Sequence, residues 1–393
     1  MPYRGCRRPW PWQALAHVCQ RWRHIIFTWP LHLDVQLDCD TATTDVPKLL
    51  DVWPPLPFNL KSNFFSDGDG IITKLQHHDR IVEIELTGLT RIQLERCAAL
   101  MQEPFPFLRS LSLSLHRNAS SPVLTEAFLA GCAPRLEKLT LYSIQFPTLP
   151  KFLLSARDLV VLRLGDVTST ESISPDTITT CLSSLTRLQA LCIEHRSPGS
   201  FSDQRNPSRP PLTRAVLPSL SVLLIEGASE YSEDLMSRID APLLKHMFLD
   251  FFYQPVFDIS QLPLFMLRSE TFKPPFKVNA TFEGDAVCII VSPSESGFCH
   301  LRLECTGLYR QFSLLKHIFA QWLPLLPHVS RLDLGIFKNC DLQGDERDSM
   351  PWLELLRSFN AVQILHISAS PLCYFPEIHI ARGLGELTRE SAA

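Results

Sequence analysis

The chain has 393 residues, 45% hydrophobic and 20% charged, with a formal net charge of −4. That length allows two or three ordinary domains or one elongated one, with ample apolar content for a large core. The mildly acidic balance argues against a polyanion-binding or membrane-surface protein, and no run of about 18 apolar residues is present to span a bilayer.

The chain opens with Arg4, Arg7 and Arg8, a short basic cluster that reads as a solvated terminus. Pro9 and Pro11, flanked by Trp10 and Trp12, stand where a secretory signal would need an apolar core. Twelve cysteines are scattered without a C-x-x-C pair. Together these features predict reduced thiols and a cytoplasmic or nuclear location.

The first predicted helix lies in "LAHVCQRWRHIIFTWP", residues 15 to 30. Leu15, Val18, Cys19, Trp22, Ile25 and Ile26 fall at steps of three and four, which makes one apolar stripe. Pro30 follows its end. The segment "WPPLPFNLKSNFFSDGDG", 53 to 70, reads as a proline-stiffened joint with a turn at Gly68 and Gly70.

A six-residue template, apolar-x-x-apolar-x-apolar, then recurs ten times. It fits Ile81/Ile84/Leu86, Leu108/Leu111/Leu113, Leu136/Leu139/Leu141, Leu159/Leu162/Leu164 and Leu188/Leu191/Ile193. It continues with Leu220/Leu223/Ile225, Leu244/Met247/Leu249, Phe298/Leu301/Leu303, Val329/Leu332/Leu334 and Val362/Leu365/Ile367. Most spacings are 23 to 33 residues, near the roughly 20–29 of leucine-rich repeats. The long gap before Phe298 spans about two periods, and "FKVNATF", 276 to 282, is expected to fill it as a degenerate strand.

The last two apolar positions of the template are two apart, so they share one face of a strand. Stacking such strands buries that face continuously, and the crossovers between parallel strands need helices. "SPDTITTCLSSL" supplies one, with Ser174 as N-cap, Pro175 in the first turn, and Ile178, Cys181, Leu182 and Leu185 as its stripe. Phe312, Leu315, Ile318, Phe319 and Trp322 mark another, and Trp352, Leu355, Leu356 and Phe359 a third. The expected fold is therefore α/β: a leucine-rich-repeat solenoid, a horseshoe with its parallel sheet on the concave face. Residues 1–35 form a short helical segment, 36–75 a connection and 76–393 the solenoid. A proline-rich loop is inserted at about 196–218.

Chemistry-bearing motifs are weak. Asp67-Gly68-Asp69-Gly70 starts like a calcium loop, but Ile71 occupies the next ligand position and no Glu closes it. His77, His78 and Asp79 have no second ligand group at useful spacing. No phosphate loop, HExxH or GxSxG occurs, so neither an enzyme nor a cofactor or metal is expected. The middle residue of each strand's final triplet is expected on the concave face. This gives Glu85, Ser112, Thr140, Arg163, Cys192, Leu224, Phe248, Arg302, Asp333 and His366. Of these, Glu85, Thr140, Arg163, Leu224, Phe248, Arg302 and Asp333 are the candidate substrate contacts. A row mixing charged, aromatic and small residues suits a protein ligand better than a polyanion, and Leu224 beside Phe248 is a candidate apolar hot spot.

With the array behind it, the N-terminal helix resembles the C-terminal half of an F-box, "L-x-x-V-C-x-x-W-R-x-I" followed by Pro. The matched positions are Leu15, Val18, Cys19, Trp22, Arg23, Ile26 and Pro30. Segments such as "MQEPFPFLRSLSLS" and "APRLEKLTLYSIQFPTLPKFLLSA" are similar to those of basidiomycete fungal F-box/leucine-rich-repeat proteins. The resemblance covers nearly all of residues 12 to 390. It implies the substrate-recognition adaptor of a Skp-cullin-F-box ubiquitin ligase, in which the seven matched residues dock on a Skp-type adaptor and the repeats hold a protein substrate. Neither nucleic acid nor membrane is an expected partner. The family's first F-box helix has no counterpart, because Pro2, Pro9 and Pro11 occupy its place. The box reads as N-terminally truncated, which leaves a second reading open: a repeat scaffold without a ligase link, its helix only capping the solenoid.

Overall fold

The structure is a computed structural model and describes residues 18–28, 36–38, 57–63, 69–116, 123–166, 174–195, 214–252, 257–293, 297–336, 355–356 and 359–369. The chain divides into two compact units, Met1–Ser172 and Ile173–Ala393. Each is mixed α/β, built on a sheet that is wholly or mostly parallel.

In the first unit the strands are β1 (Gln36–Asp38), β2 (Phe58–Asn63), β3 (Ile81–Leu89), β4 (Ser110–Leu115), β5 (Lys138–Tyr142) and β6 (Val161–Gly165). They pair in chain order, all parallel. Helix α1 (Gln20–Thr28) precedes them, and α2 (Asp69–Leu75), α3 (Arg91–Leu100) and α4 (Leu149–Ser155) lie between strands. Strand β4, "SLSLSL", shows the rule most plainly: Leu111, Leu113 and Leu115 are buried while Ser110, Ser112 and Ser114 line the open face. Leu60, Ile84, Leu111, Leu139 and Leu162 stand in one register row, each at most 1% exposed. The template's second apolar position thus stacks on itself from strand to strand. Helix α3 starts at a capping box, in which the Thr90 hydroxyl accepts from the Gln93 amide at 3.3 Å and Gln93 Oε1 accepts from the Thr90 amide at 2.9 Å.

The division between the units falls after Ser172, within the 76–393 stretch. The expected connection at 36–75 carries β1, β2 and α2 of the first unit's layers. Phe58 and Leu60 alternate onto the covered face at 1% and 0% exposure, so the period-two pattern overrides the proline-rich flank.

The second unit contains β7 (Ala190–Glu194), β8 (Ala215–Val216), β9 (Val222–Gly227), β10 (Ile239–Asp240), β11 (His246–Phe251), β12 (Phe276–Phe282), β13 (Ala286–Pro293), β14 (Phe298–Glu304), β15 (Val329–Ile336) and β16 (Ile364–Ala369). Its helices are α5 (Pro175–Leu182), α6 (Ser229–Arg238), α7 (Gln261–Arg268) and α8 (Leu308–Gln321). Strands β8 and β10 form a separate parallel pair. The main sheet runs β7-β9-β11-β14-β13-β12-β15-β16. Strand β13 is antiparallel to both its neighbours; the other pairs are parallel.

"FKVNATF" is a strand, but it does not fill the slot after β11. The chain places it third from β11 and returns through β13 to set β14 against β11. The physical reason is loop length. Only residues 283–285 join β12 to β13, and a link that short permits an antiparallel hairpin but no crossover. The Glu283 amide closes this turn on the Ala286 carbonyl at 2.8 Å. Helix α8 packs against β13 on the way to β15.

The helices are latched by side chains. Ser174 caps α5 through the Thr177 amide at 3.3 Å. Buried Arg238 at the end of α6 reaches Asp176 in the first turn of α5 at 2.9 Å and Asp234 at 2.7 Å. Glu233 of α6 accepts from the amides of Gln261 and Leu262, so it caps α7 from a neighbouring helix. Phe312, Leu315, Ile318 and Phe319 form the buried side of α8, and buried Trp322 follows its last residue.

Candidate functional site

The open face of the second unit carries an aromatic patch. The parallel ladders align Cys192, Leu224, Phe248 and His300, and the hairpin continues this row through Ile290 and Asn279 to Asp333 and His366. Phe298, two residues before His300, shares the face. Its ring stands perpendicular to that of Phe248 at 5.1 Å and lies 5.0 Å from that of His246. Phe248 also meets His300 at 6.3 Å. Phe248, Phe298 and Leu224 are half-buried, and Ile290 is 36% exposed. Edge-to-face ring contacts hold these side chains in place before anything binds.

The template places Arg302 in line with Phe248. The ladder between β11 and β14 instead pairs Phe248 with His300 and Asp250 with Arg302. On β14 the apolar alternation starts at Cys299, two residues earlier than the leucine pattern suggested. Strand β13 escaped notice because "AVCIIVSP" is a continuous apolar run and not a template match; its Val and Ile content was the available signal.

Next to the patch runs an acidic row. Glu194, Glu226 and Asp250 lie in one register line on three neighbouring strands, and Arg302 ends it. Arg302 sits 3.2 Å from Asp250, 3.2 Å from Asp285 and 3.4 Å from Glu304. Partial burial works against its charge, but these carboxylates outweigh it and hold the guanidinium pKa above its ordinary value. Cys288 opposes Arg302 on β13, and burial, aided by Glu283, pushes its thiol up to about 12. Such a thiol is a poor nucleophile at neutral pH. Cys192 is buried, with its sulfur 3.2 Å from Glu194 Oε1.

Asp333 lies further along the same sheet. It is 7% exposed and lies between Lys277 at 3.0 Å and Arg331 at 2.9 Å. Burial raises its pKa, but Arg331 and Lys277 together hold it below the usual carboxylate value. Its carboxylate is thus paired within the sheet.

Glu85, Thr140 and Arg163 belong to the first unit, where the register row runs Lys61, Glu85, Ser112, Thr140, Arg163. Lys61 bridges Glu85 at 3.1 Å and Glu83 at 3.8 Å. This row is polar and has none of the aromatic character of the second unit's patch.

Helix α1 presents a different surface. Trp22 and Ile25 fall on one side of it, and they and Val18, just before the helix, are 45%, 48% and 63% exposed. Cys19 and Arg23 are exposed as well, and the Arg23 amide donates to the Cys19 carbonyl at 3.1 Å. Ile26 lies on the helix. Leu15 and Pro30 fall outside the described residues, as does most of the 196–218 insert.

Among the described residues no three His, Cys, Asp or Glu side chains are grouped to hold a metal, and no helix is long and apolar enough to cross a membrane. These features define the chain as a mixed α/β protein with a mostly parallel sheet whose open face carries an aromatic patch beside an acidic row. The chain matches no protein-family model and no curated protein.

Proposed function

We propose that the chain is a non-catalytic leucine-rich-repeat receptor that delivers a protein substrate to a Skp-cullin-F-box ubiquitin ligase. The observation that carries this reading is the exposure of apolar Trp22 and Ile25 on α1, and of Val18 just before it, in the segment that resembles the F-box core. A helix that merely capped a solenoid would bury its Trp; a helix that docks on an adaptor keeps it accessible. The stacked template positions of the first unit support the repeat architecture, and the aromatic patch of the second supports protein binding.

A second reading is a repeat scaffold without a ligase link. Pro2, Pro9 and Pro11, in the place of the first F-box helix, favour it. The two separate on titration calorimetry of the full chain against a basidiomycete Skp-type adaptor, with Trp22→Ala beside it. Binding that the substitution abolishes supports the receptor. An adaptor that does not bind the unaltered chain removes the ligase link and leaves the scaffold.

A further inference from the structure

We infer that the open face of the second unit binds a protein segment carrying a large apolar anchor with Lys or Arg within about three residues of it. This rests on the chain's being a protein-binding receptor but not on the ligase link. Leu224, Phe248, Phe298 and Ile290 supply the anchor site. They adjoin one another across β9, β11, β14 and β13, and the ring contacts among Phe248, Phe298 and His246 fix their orientation. Covering such preset rings releases water with little ordering cost, which is how a few central aromatic residues dominate an interface.

The acidic row supplies the second half. Glu194, Glu226 and Asp250 stand opposite one another on adjacent strands, spaced by about 4.8 Å. Arg302 ends the row but faces Asp250, Asp285 and Glu304 together. Three carboxylates around one guanidinium leave the neighbourhood negative, so a further cation from a partner gains attraction there. The apolar and acidic rows are two residues apart along each strand, or about 6.6 Å. That separation fits an anchor and a cation one to three residues apart in an extended segment. A nucleic acid or an acidic segment would bring phosphates or carboxylates against the same row.

The test is selection of a random-peptide phage library on the full chain, followed by fluorescence anisotropy of the winning synthetic peptide. Selected peptides should pair an aromatic or large aliphatic residue with nearby Lys or Arg. Affinity should fall about tenfold or more for Phe248→Ser, and several-fold, with weaker salt dependence, for Asp250→Asn combined with Asp285→Asn. Should Phe248→Ser fold poorly, Ile290→Lys, at an exposed position, places a repelling charge in the patch and should weaken binding comparably. Winning peptides that are acidic or neutral, a winner indifferent to these substitutions, or no enrichment at all would overturn the inference. Adaptor binding is read separately, so an intact peptide response with no adaptor binding sinks only the ligase reading, and the reverse sinks only this one.

Discussion

Phe248 on β11 stands opposite His300 on β14, their ring centroids 6.3 Å apart, while Phe298 packs edge-on against Phe248 at 5.1 Å. These rings lie on the open face, so each contributes modestly to stability and the pair contributes through its geometry. Phe248→Ala and Phe298→Ala should each cost about 1–2 kcal/mol by urea unfolding, with a coupling of about 0.5–1.5 kcal/mol in the double-substitution cycle. Strict additivity would show that the two rings do not share a contact in solution.

The exposure of Trp22 predicts a second outcome. A fully packed Trp costs about 3–5 kcal/mol when truncated. At 45% exposure on a short helix, Trp22→Ala should cost less than about 1 kcal/mol, and thermal unfolding should shift by a few degrees at most. A loss in the buried range would mean that α1 packs its stripe against the first unit, and would favour the capping role.

Legibility of the sequence followed the physics of single strands. Leu111, Leu139 and Leu162 could be assigned to one stacked row because the period-two alternation and the repeat spacing agree there. Ser174, Pro175 and Ile178 announced α5 because capping and periodicity are local. What connects strands in space was less readable. The turn at 283–285 reverses the chain, yet nothing in a six-residue template records direction, nor the register that pairs Phe248 with His300 and Asp250 with Arg302. At Trp22 the stripe identified an apolar side of a helix but not whether anything covers it. Phe58 and Leu60 were hidden by their proline-rich flank, although their alternation is that of the other strands.

Tyr142 and Gly165 make a third test. They pair in the β5–β6 ladder, and a Cβ on Gly165 would lie 2.1 Å from the Tyr142 ring. The glycine is there for space, since the ring lies across its backbone. Gly165→Ala should push the ring aside and cost about 1–3 kcal/mol. Combining it with Tyr142→Ala should recover most of that loss relative to Tyr142→Ala alone. If Gly165→Ala is as harmful with Ala at 142 as with Tyr, the clash is not its cause.

Glu233 gives the pH dependence. It is 7% exposed on α6 and caps α7 through the amides of Gln261 and Leu262, with the Ser260 hydroxyl at 3.4 Å. Burial pushes its pKa from 4.5 up to about 8, nearby Asp258 adds to the shift, and the hydrogen bonds from α7 pull the other way. The folded form therefore holds its proton more tightly than the unfolded chain. Its contribution to stability is fully present below the unfolded value of 4.5, falls as pH rises toward about 8, and is constant above that. Glu233→Gln keeps an oxygen to accept from α7 and removes the titration. The melting temperature of the Gln variant should therefore rise relative to the unaltered chain between about pH 5 and about pH 8 and run parallel to it above. Comparing the two chains at each pH cancels the other titrating groups. A difference that stays constant across this range would show that Glu233 remains ionised throughout, with the N-terminal amides of α7 outweighing its burial.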